Sequence, residues 1–193
     1  MSSYDTAKKI LSRAYPSAVL RPQARADWLG EFPLPDPIAE YFAEFGPDDV
    51  AIDGYGNPYF LPSLAHLWAH QTGYRTDGFT QERIADWNDD WLVVADQGGD
   101  PFILSRASSV VLHAYHGEGA WEPSEIFGSL PEMATTFAIV GEIVASAGQS
   151  LTDDDSLIVD RYLQEAAARV AEFVGSHERA LAMISSLGWS QCA

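Results

Sequence analysis

Cysteine is almost absent from this chain of 193 residues. The single thiol belongs to Cys192, next to the last residue, which excludes an internal disulfide framework and indicates a reducing compartment. A thiol at a flexible terminus is also a poor nucleophile, because nothing there holds it against a general base. We therefore expect no catalytic cysteine.

Long hydrophobic runs are also missing. No apolar stretch approaches the roughly 18 residues that a membrane-spanning helix needs. Near the start of the chain, Lys8 and Lys9 are followed by only two apolar residues before Ser12 and Arg13, which does not fit the apolar core of a signal peptide. These absences predict a cytoplasmic protein.

Basic residues are scarce as well, and they are unevenly placed. Residues 27–142 carry 20 acidic residues against three arginines, a net charge of −17, whereas the rest of the chain is neutral. Nucleic acids and anionic membranes are poor partners for such a surface, because both are bound through clustered Lys and Arg. A basic protein would suit it. A net negative charge also serves solubility, so the charge alone does not decide between these explanations.

Apolar residues make up 47% of the chain, enough for a sizeable core without disulfides. Helical periodicity predicts an amphipathic helix over residues 3–15, a second helix between Asp36 and Gly46, and a long one over residues 130–147. A further helix is expected to start at a cap formed by residues 152–155 and to end at Gly175. Another should follow it to complete a helical hairpin.

The most informative stretch is a predicted β-hairpin. Residues 91–95 and 102–104 are apolar and rich in aromatic and β-branched types, as strands with a covered face require. Between them lies the turn sequence Asp96-Gln97-Gly98-Gly99-Asp100-Pro101. We expect the two carboxylates of this turn to accept backbone N–H groups, and an acid–base pair is the alternative.

This hairpin, Trp-Leu-x-Val-Ala-Asp-x-Gly-Gly-Asp-x-Phe, resembles the central motif of the SUKH superfamily, the Smi/Knr type. The similarity extends upstream to Leu34-Pro35-Asp36-Pro37-Ile38 and downstream through residues 109–115 and 126–143, about 115 residues in all. This chain has Ser105 where the family commonly carries an Asp after the second strand, so no role of that carboxylate is carried over. The resemblance implies a structural role for the motif residues. They are Trp91, Asp96, Gly98, Gly99 and Asp100.

The resemblance implies an α+β fold, with a twisted, mostly antiparallel or mixed sheet flanked by helices. This domain would span residues 31–146, between an N-terminal helix and connector over residues 1–30 and an added helical hairpin over residues 147–193. The implied function is that of a non-enzymatic immunity protein, which neutralises a bacterial toxin, often a nuclease, by direct binding. The alternative is a regulatory adaptor related to fungal regulators of cell-wall glucan synthesis. No cofactor is expected.

Two histidines have a spacing that suggests a metal site. His66 and His70 are four residues apart on a predicted helix, but position 67 is Leu, so the general base of the His-Glu-x-x-His motif is missing. His113 and His116 flank a strand end three residues apart, which puts them on opposite sides. We assign no metal to either pair.

An acidic loop before the hairpin resembles part of a calcium loop. Asp86, Asn88 and Asp90 occupy its first, third and fifth positions, but Trp91 stands where glycine is needed and Gln97 where a bidentate Glu is needed. The match fails, so we predict a solvated acidic loop without metal. No Gly-x-Ser-x-Gly elbow or phosphate-binding loop is present either, and we expect no catalytic residues.

Partner binding is instead assigned to two acidic loops that contain tryptophan. Trp87 and Trp121 are candidate interface anchors, since large aromatic residues ringed by polar groups dominate binding hot spots. Asp86, Asp89 and Asp90 are the expected charged rim beside Trp87. The other tryptophans that lie on apolar faces are expected in the core. They are Trp28, Trp68 and Trp91.

Overall fold

The computed structural model describes residues 2–117 and 119–189, so Cys192 lies outside the described residues. Within these residues the chain forms six α-helices and six β-strands. The helices are α1 (Asp5–Ala14), α2 (Asp36–Glu44), α3 (Leu64–Leu67), α4 (Leu130–Ala147), α5 (Asp160–Val174) and α6 (His177–Ser186). The strands are β1 (Val50–Ile52), β2 (Tyr59–Leu61), β3 (Trp91–Gln97), β4 (Asp100–Ser105), β5 (Val111–His113) and β6 (Ser124–Phe127).

The strands form one antiparallel sheet in the order β1-β2-β3-β4-β5-β6. Each strand therefore pairs with its neighbour along the chain, which antiparallel geometry allows through short connections. The connection between β2 and β3 is the exception, since it contains α3 and a long loop. The predicted α+β class with a mostly antiparallel sheet is confirmed.

The predicted central hairpin is β3 and β4. Gln97 pairs with Asp100, which leaves Gly98 and Gly99 as a two-residue turn. Both glycines have positive φ, 66° and 104°, the combination that matches the twist of a tight hairpin. A Cβ at position 98 would also lie 2.1 Å from the Nδ2 atom of Asn57. Glycine is thus required there both by the backbone and by its neighbour.

Helix α4 covers one face of the sheet and contacts α1, α2, α5, β1 and β6. Its Phe137 ring stacks on Tyr59 of β2 at 4.2 Å and meets Phe102 of β4 edge-on at 4.8 Å. Among the described residues, Leu130–Ser150 is the one segment long and apolar enough to cross a membrane by those two criteria, contrary to the expectation from the sequence. Because 61% of it is buried inside the fold, its apolar composition is that of a core helix.

The terminal helices belong to the same hydrophobic core as the sheet. One continuous cluster of buried residues runs from Tyr4 in the first turn of the chain to Trp189 after α6. Helix α1 buries Ala7, Ile10 and Leu11 and packs on α4, while α5 packs between α4 and α6. The α5–α6 hairpin expected from the sequence is confirmed.

The start of α5 was predicted seven residues too early, with the cap at Thr152 and not at Val159. Instead of capping a helix, Thr152 forms an isolated bridge with Ile158, and Asp153 Oδ1 accepts hydrogen bonds from the N–H groups of Asp155 and Leu157. A short side chain that satisfies nearby N–H groups competes with helix formation. The helix therefore begins only at Asp160.

Ion pairs attach the terminal helices to the acidic part of the chain. Glu142 of α4 lies between Arg13 of α1 and Arg169 of α5, with N···O distances of 2.6 Å to each. In the same way, Arg179 of α6 binds Glu132 near the start of α4 through both of its terminal nitrogens, at 3.0 and 2.5 Å. Burial alone would raise the pKa of Glu142, but the hydrogen bonds from the two arginines outweigh it and hold that pKa below its ordinary value.

Replacing Gly141 with Ala should destabilise the fold, although Ala is the better helix former. A Cβ at position 141 would lie 2.2 Å from Ile52 Cγ2 and 2.9 Å from the Tyr15 hydroxyl, so α1, α4 and β1 would have to move apart. We expect a loss of about 1–3 kcal/mol in the free energy of unfolding, measured by urea denaturation. The control is Ala145→Gly on the exposed side of α4. It changes helix propensity alone and should lower the free energy of unfolding by about 1 kcal/mol. A more stable Gly141→Ala protein would contradict the close approach.

Replacing Glu142 with Gln should lower stability at neutral pH by about 1–3 kcal/mol, because two charged hydrogen bonds are lost. The pKa of Glu142 is depressed in the folded protein. The stability that the Glu142 carboxylate contributes is therefore fully present above its ordinary pKa of 4.5. It is lost as the pH falls through the lower pKa of the folded state. Denaturation of both proteins at pH 7 and near pH 3 checks this. The exposed Glu165→Gln variant, which loses an i,i+4 pair with Arg169, should cost only about 0.3–0.5 kcal/mol. A Glu142→Gln deficit that persisted unchanged at pH 3 would refute the assignment.

Candidate binding face

The sheet face opposite α4, here called the distal face, carries no long helix among the described residues. Val93 of β3 and Ile103 of β4 point to this face and are fully buried. Tyr74 and Trp87, from the loop between α3 and β3, cover them and form a second, smaller hydrophobic cluster. The loop between α3 and β3 thus covers this face of the sheet, as α4 covers the other.

Trp87 is not the exposed anchor expected from the sequence, because it is only 1% exposed. Its ring packs edge-on against Trp91 at 5.3 Å and against Trp121 at 5.7 Å, and it lies 5.9 Å from Tyr74. The polar residues around Trp87 in the sequence suggested an exposed side chain, but its ring covers part of the distal face. That prediction is wrong.

Trp121 and Trp91 lie at the edge of this cluster and are only partly buried. For Trp121 the accessible part of the ring faces solvent, so its role as an interface anchor stays a prediction. Trp28 and Trp68, expected in the core, are also only partly buried. They pack on each other at 5.7 Å, and Trp28 also packs against the main core.

The acidic rim predicted beside Trp87 is mostly engaged within the protein. Arg75 and Arg83 both bind the carboxylate of Asp89, at 3.1 and 2.5 Å. Arg106 donates to the main-chain oxygens of Asp89 and Asp90. All three arginines of the acidic region therefore converge on one short segment and fix it in place. Asp89 is a structural anchor and not a free charge on the rim.

The other two carboxylates of the predicted rim differ from each other. Asp90 is partly buried and accepts the Ser105 hydroxyl at 2.7 Å, so position 105 takes part in the same network. Asp86 is exposed, and among the described residues its carboxylate has no ion pair. Of the three predicted rim residues, Asp86 is exposed without an ion pair among the described residues, whereas the Asp89 side chain is 74% exposed but bound by two arginines.

The carboxylates of the hairpin turn organise the neighbouring loops. Asp96 accepts the Gly99 N–H at 3.3 Å, as predicted, and lies 3.0 Å from His70 Nε2 without the alignment of a hydrogen bond. Asp100 binds both the N–H and the Nδ1 atom of His116, at 2.8 and 2.6 Å. The turn therefore holds the chain after α3 on one side and the chain after β5 on the other.

These two loops enclose an open cleft of about 440 Å³, here called the distal cleft. Its lining includes His70, Tyr74, Gly99, His116 and Trp121. The Tyr74 hydroxyl has a raised pKa, first because of burial and then because of the nearby Asp96 and Asp100 carboxylates, so it remains a hydrogen-bond donor at neutral pH. Aromatic faces beside imidazole and hydroxyl groups suit the binding of an inserted side chain.

The described residues of the distal face show no set of side chains arranged for nucleophilic or metal chemistry. In the part of the chain that the structure describes, no three His, Cys, Asp or Glu side chains come together as metal ligands. The His–Asp contacts at the cleft link loops to the turn, and among the described residues the hydroxyl-bearing side chains that line the cleft are Thr72 and Tyr74. The arrangement offers surfaces for packing and hydrogen bonding.

Sequence reasoning did not single out Phe79, which is 99% exposed. It lies in the loop of residues 77–83, in which a Cβ at Gly78 would lie 3.8 Å from Cγ2 of Thr72, a residue that lines the distal cleft. A lone aromatic residue after Asp-Gly in a polar loop has the same local pattern whether it is buried or exposed. The available signal was the short turn sequence Asp77-Gly78, which favours a tight projecting turn.

Truncation of Trp87 should lower stability strongly and truncation of Phe79 hardly at all, although both residues lie in the connection between α3 and β3. Trp87→Ala removes a buried ring and should cost about 3–5 kcal/mol of unfolding free energy. Phe79→Ala, the matched control, should change stability by less than about 0.5 kcal/mol. Urea denaturation followed by far-UV circular dichroism measures both. Equal losses for the two variants would contradict the positions of these rings.

Comparisons with protein-family models, with curated proteins and with solved structures find no match to this chain. The SUKH resemblance therefore rests on the hairpin motif and the segments that flank it.

Proposed function

We propose that this chain is a non-enzymatic protein-binding module that uses its distal face to bind a basic protein, and that it acts as an immunity protein. The observation that carries the proposal is the open, aromatic distal cleft in a chain of net charge −17. A cleft of this kind can accept side chains from another protein surface. The surrounding negative charge favours a surface rich in Lys and Arg.

The distribution of ion pairs supports the electrostatic part of the proposal. Asp89 engages Arg75 and Arg83, whereas Glu82, Asp86 and Glu122 are exposed and form no ion pair among the described residues. These free carboxylates lie in the two loops that border the distal cleft. Negative charge gathered on one side of a protein accelerates encounter with a cationic partner and loses this effect as salt is added.

The resemblance to SUKH proteins supports immunity as the biological role. A toxin that acts on nucleic acid has a basic surface, because it must bind phosphate groups. An acidic protein that covers such a surface would block access to the substrate without any reaction of its own. The alternative role, an adaptor for cell-wall glucan synthesis, would use the same face on a different partner.

The partner is sought by affinity capture from the native cell at low salt, and its function is then tested by expression. We expect a stoichiometric basic protein that arrests growth when produced alone and is harmless when produced together with this chain. A partner that is not toxic and takes part in wall synthesis would replace immunity by the adaptor role. Failure to bind any basic protein would overturn the proposal.

A charge-matched pair of variants tests the electrostatic mechanism with the captured partner. Glu82→Gln, Asp86→Asn and Glu122→Gln together should lower the association rate constant about tenfold at low ionic strength and little at 0.5 M salt. The control removes the same number of exposed carboxylates elsewhere, through Asp154→Asn, Asp155→Asn and Glu172→Gln. It should change the rate constant by less than about twofold. Equal effects would show that only the total charge matters.

A further inference from the structure

We propose that Phe79 is the anchor residue through which the chain docks on its basic partner, and that the adjacent distal cleft receives a cationic side chain from that partner. This inference rests on the proposed function and names the surface that performs it. The surface consists of the loop of residues 77–83, here called the Phe79 loop, and the distal cleft beside it.

The exposure of Phe79 is the first observation. A phenyl ring that is 99% accessible makes no packing contribution to the fold, and the other exposed large apolar residues are between 37% and 68% accessible. Aromatic residues that become buried only on association are typical of binding hot spots. The ring therefore has surface to bury only against something outside the described fold.

The second observation is that the Phe79 loop is held in shape by its own hydrogen bonds. Asp77 Oδ1 accepts the N–H groups of Phe79 and Thr80, each at 2.8 Å. The backbone closes the loop again where Asp77 N–H donates to the Glu82 carbonyl at 2.8 Å and Gln81 N–H donates to the Asp77 carbonyl at 3.0 Å. Because the backbone is already ordered, little conformational entropy remains to be lost on binding.

The base of the loop is fixed to the cleft and to the distal cluster. The Gly73 N–H donates to the Thr76 carbonyl at 2.7 Å, and Gly73 lines the distal cleft. At the carboxy-terminal end of the loop, the Arg83 guanidinium donates to the Trp87 carbonyl at 2.5 Å and also binds Asp89. The loop that carries Phe79 is thus bonded at its base to Gly73 of the distal cleft and, through Arg83, to the buried Trp87.

The charges around Phe79 identify the kind of partner. Asp77 and Glu82 lie within the Phe79 loop and Asp86 follows it, while Arg83 of the same loop is already engaged by Asp89. The pKa of Asp77 is lowered by the N–H groups of Thr80 and Phe79, so this carboxylate stays charged. A fitting surface offers an apolar pocket for the ring, bordered by Lys or Arg. One such cation could enter the distal cleft over Trp121 and Tyr74, in a cation–π contact.

A second copy of the chain is a poor occupant of the same surface. Docking through two Phe79 loops would bring like-charged loops together in a molecule of net charge −17. The same carboxylates oppose insertion of the ring into an anionic membrane. A separate basic protein is the occupant that both the ring and the charges fit.

Photo-crosslinking in the native cell tests the surface directly. A benzoylphenylalanine at position 79 should crosslink to one basic protein, whereas the same residue at position 29, where Leu29 is 68% exposed, should not. With that purified partner, Phe79→Ala should weaken binding at least about twentyfold and Leu29→Ala less than about twofold, at unchanged folding stability.

Variants of Asp77 test the preorganised loop separately from the charge. Asp77→Asn keeps an oxygen that can accept the two N–H groups, whereas Asp77→Ala removes both the acceptor and the charge. The dissociation rate constant should rise at least about threefold more for Asp77→Ala than for Asp77→Asn. Equal dissociation rates for the two variants would overturn the role of the loop bonds.

The outcomes separate this inference from the proposed function. A basic partner that binds the unmodified chain but neither crosslinks to position 79 nor depends on Phe79 overturns the docking surface alone. Crosslinking from position 79 only to a second copy of this chain overturns the assignment of the partner. Absence of any partner for the unmodified chain overturns the proposed function and this inference with it.

Discussion

The central constraint on this fold is that the β3–β4 hairpin is apolar on both faces, so both must be covered. Phe102 faces α4 and its aromatic neighbours, while Val93 and Ile103 face the other way. A long helix covers the first face. Among the described residues no second long helix lies on the other face, and the loop before β3 covers it with Tyr74 and Trp87. This incomplete cover leaves the open distal cleft beside the hairpin turn.

The carboxylates of this protein fall into two groups, those that form ion pairs within the fold and those that are exposed to solvent. Arginines from both terminal segments bind carboxylates of the acidic region. They are Arg13, Arg21, Arg25, Arg169 and Arg179. The arginines within the acidic region meet at Asp89 and stabilise the loop that covers the distal face. Several exposed carboxylates without an ion pair among the described residues, including Glu82, Asp86 and Glu122, lie in loops, where their cost to stability is small and their field reaches an approaching molecule.

The sequence predicted the fold better than the binding face. The hairpin was predictable because its information is local: Gly98 and Gly99 suit only a tight turn, and the apolar strands flank it directly. The position of Trp87 was not, because its burial depends on Tyr74 and Trp121, which lie elsewhere in the sequence. Similarly, Asp89 resembles any solvated acid until three separate arginines are found beside it.

The contact between α1 and α4 has a consequence for how the molecule assembles. Each strand of the sheet pairs with the next one along the chain, so the sheet can form from local hairpins. The Arg13–Glu142 contact instead joins residues 129 positions apart. During synthesis from the amino terminus, the apolar side of α1 must wait for α4 to emerge, and its docking closes a long loop. Helix α1 is therefore synthesised well before it can reach its final place against α4.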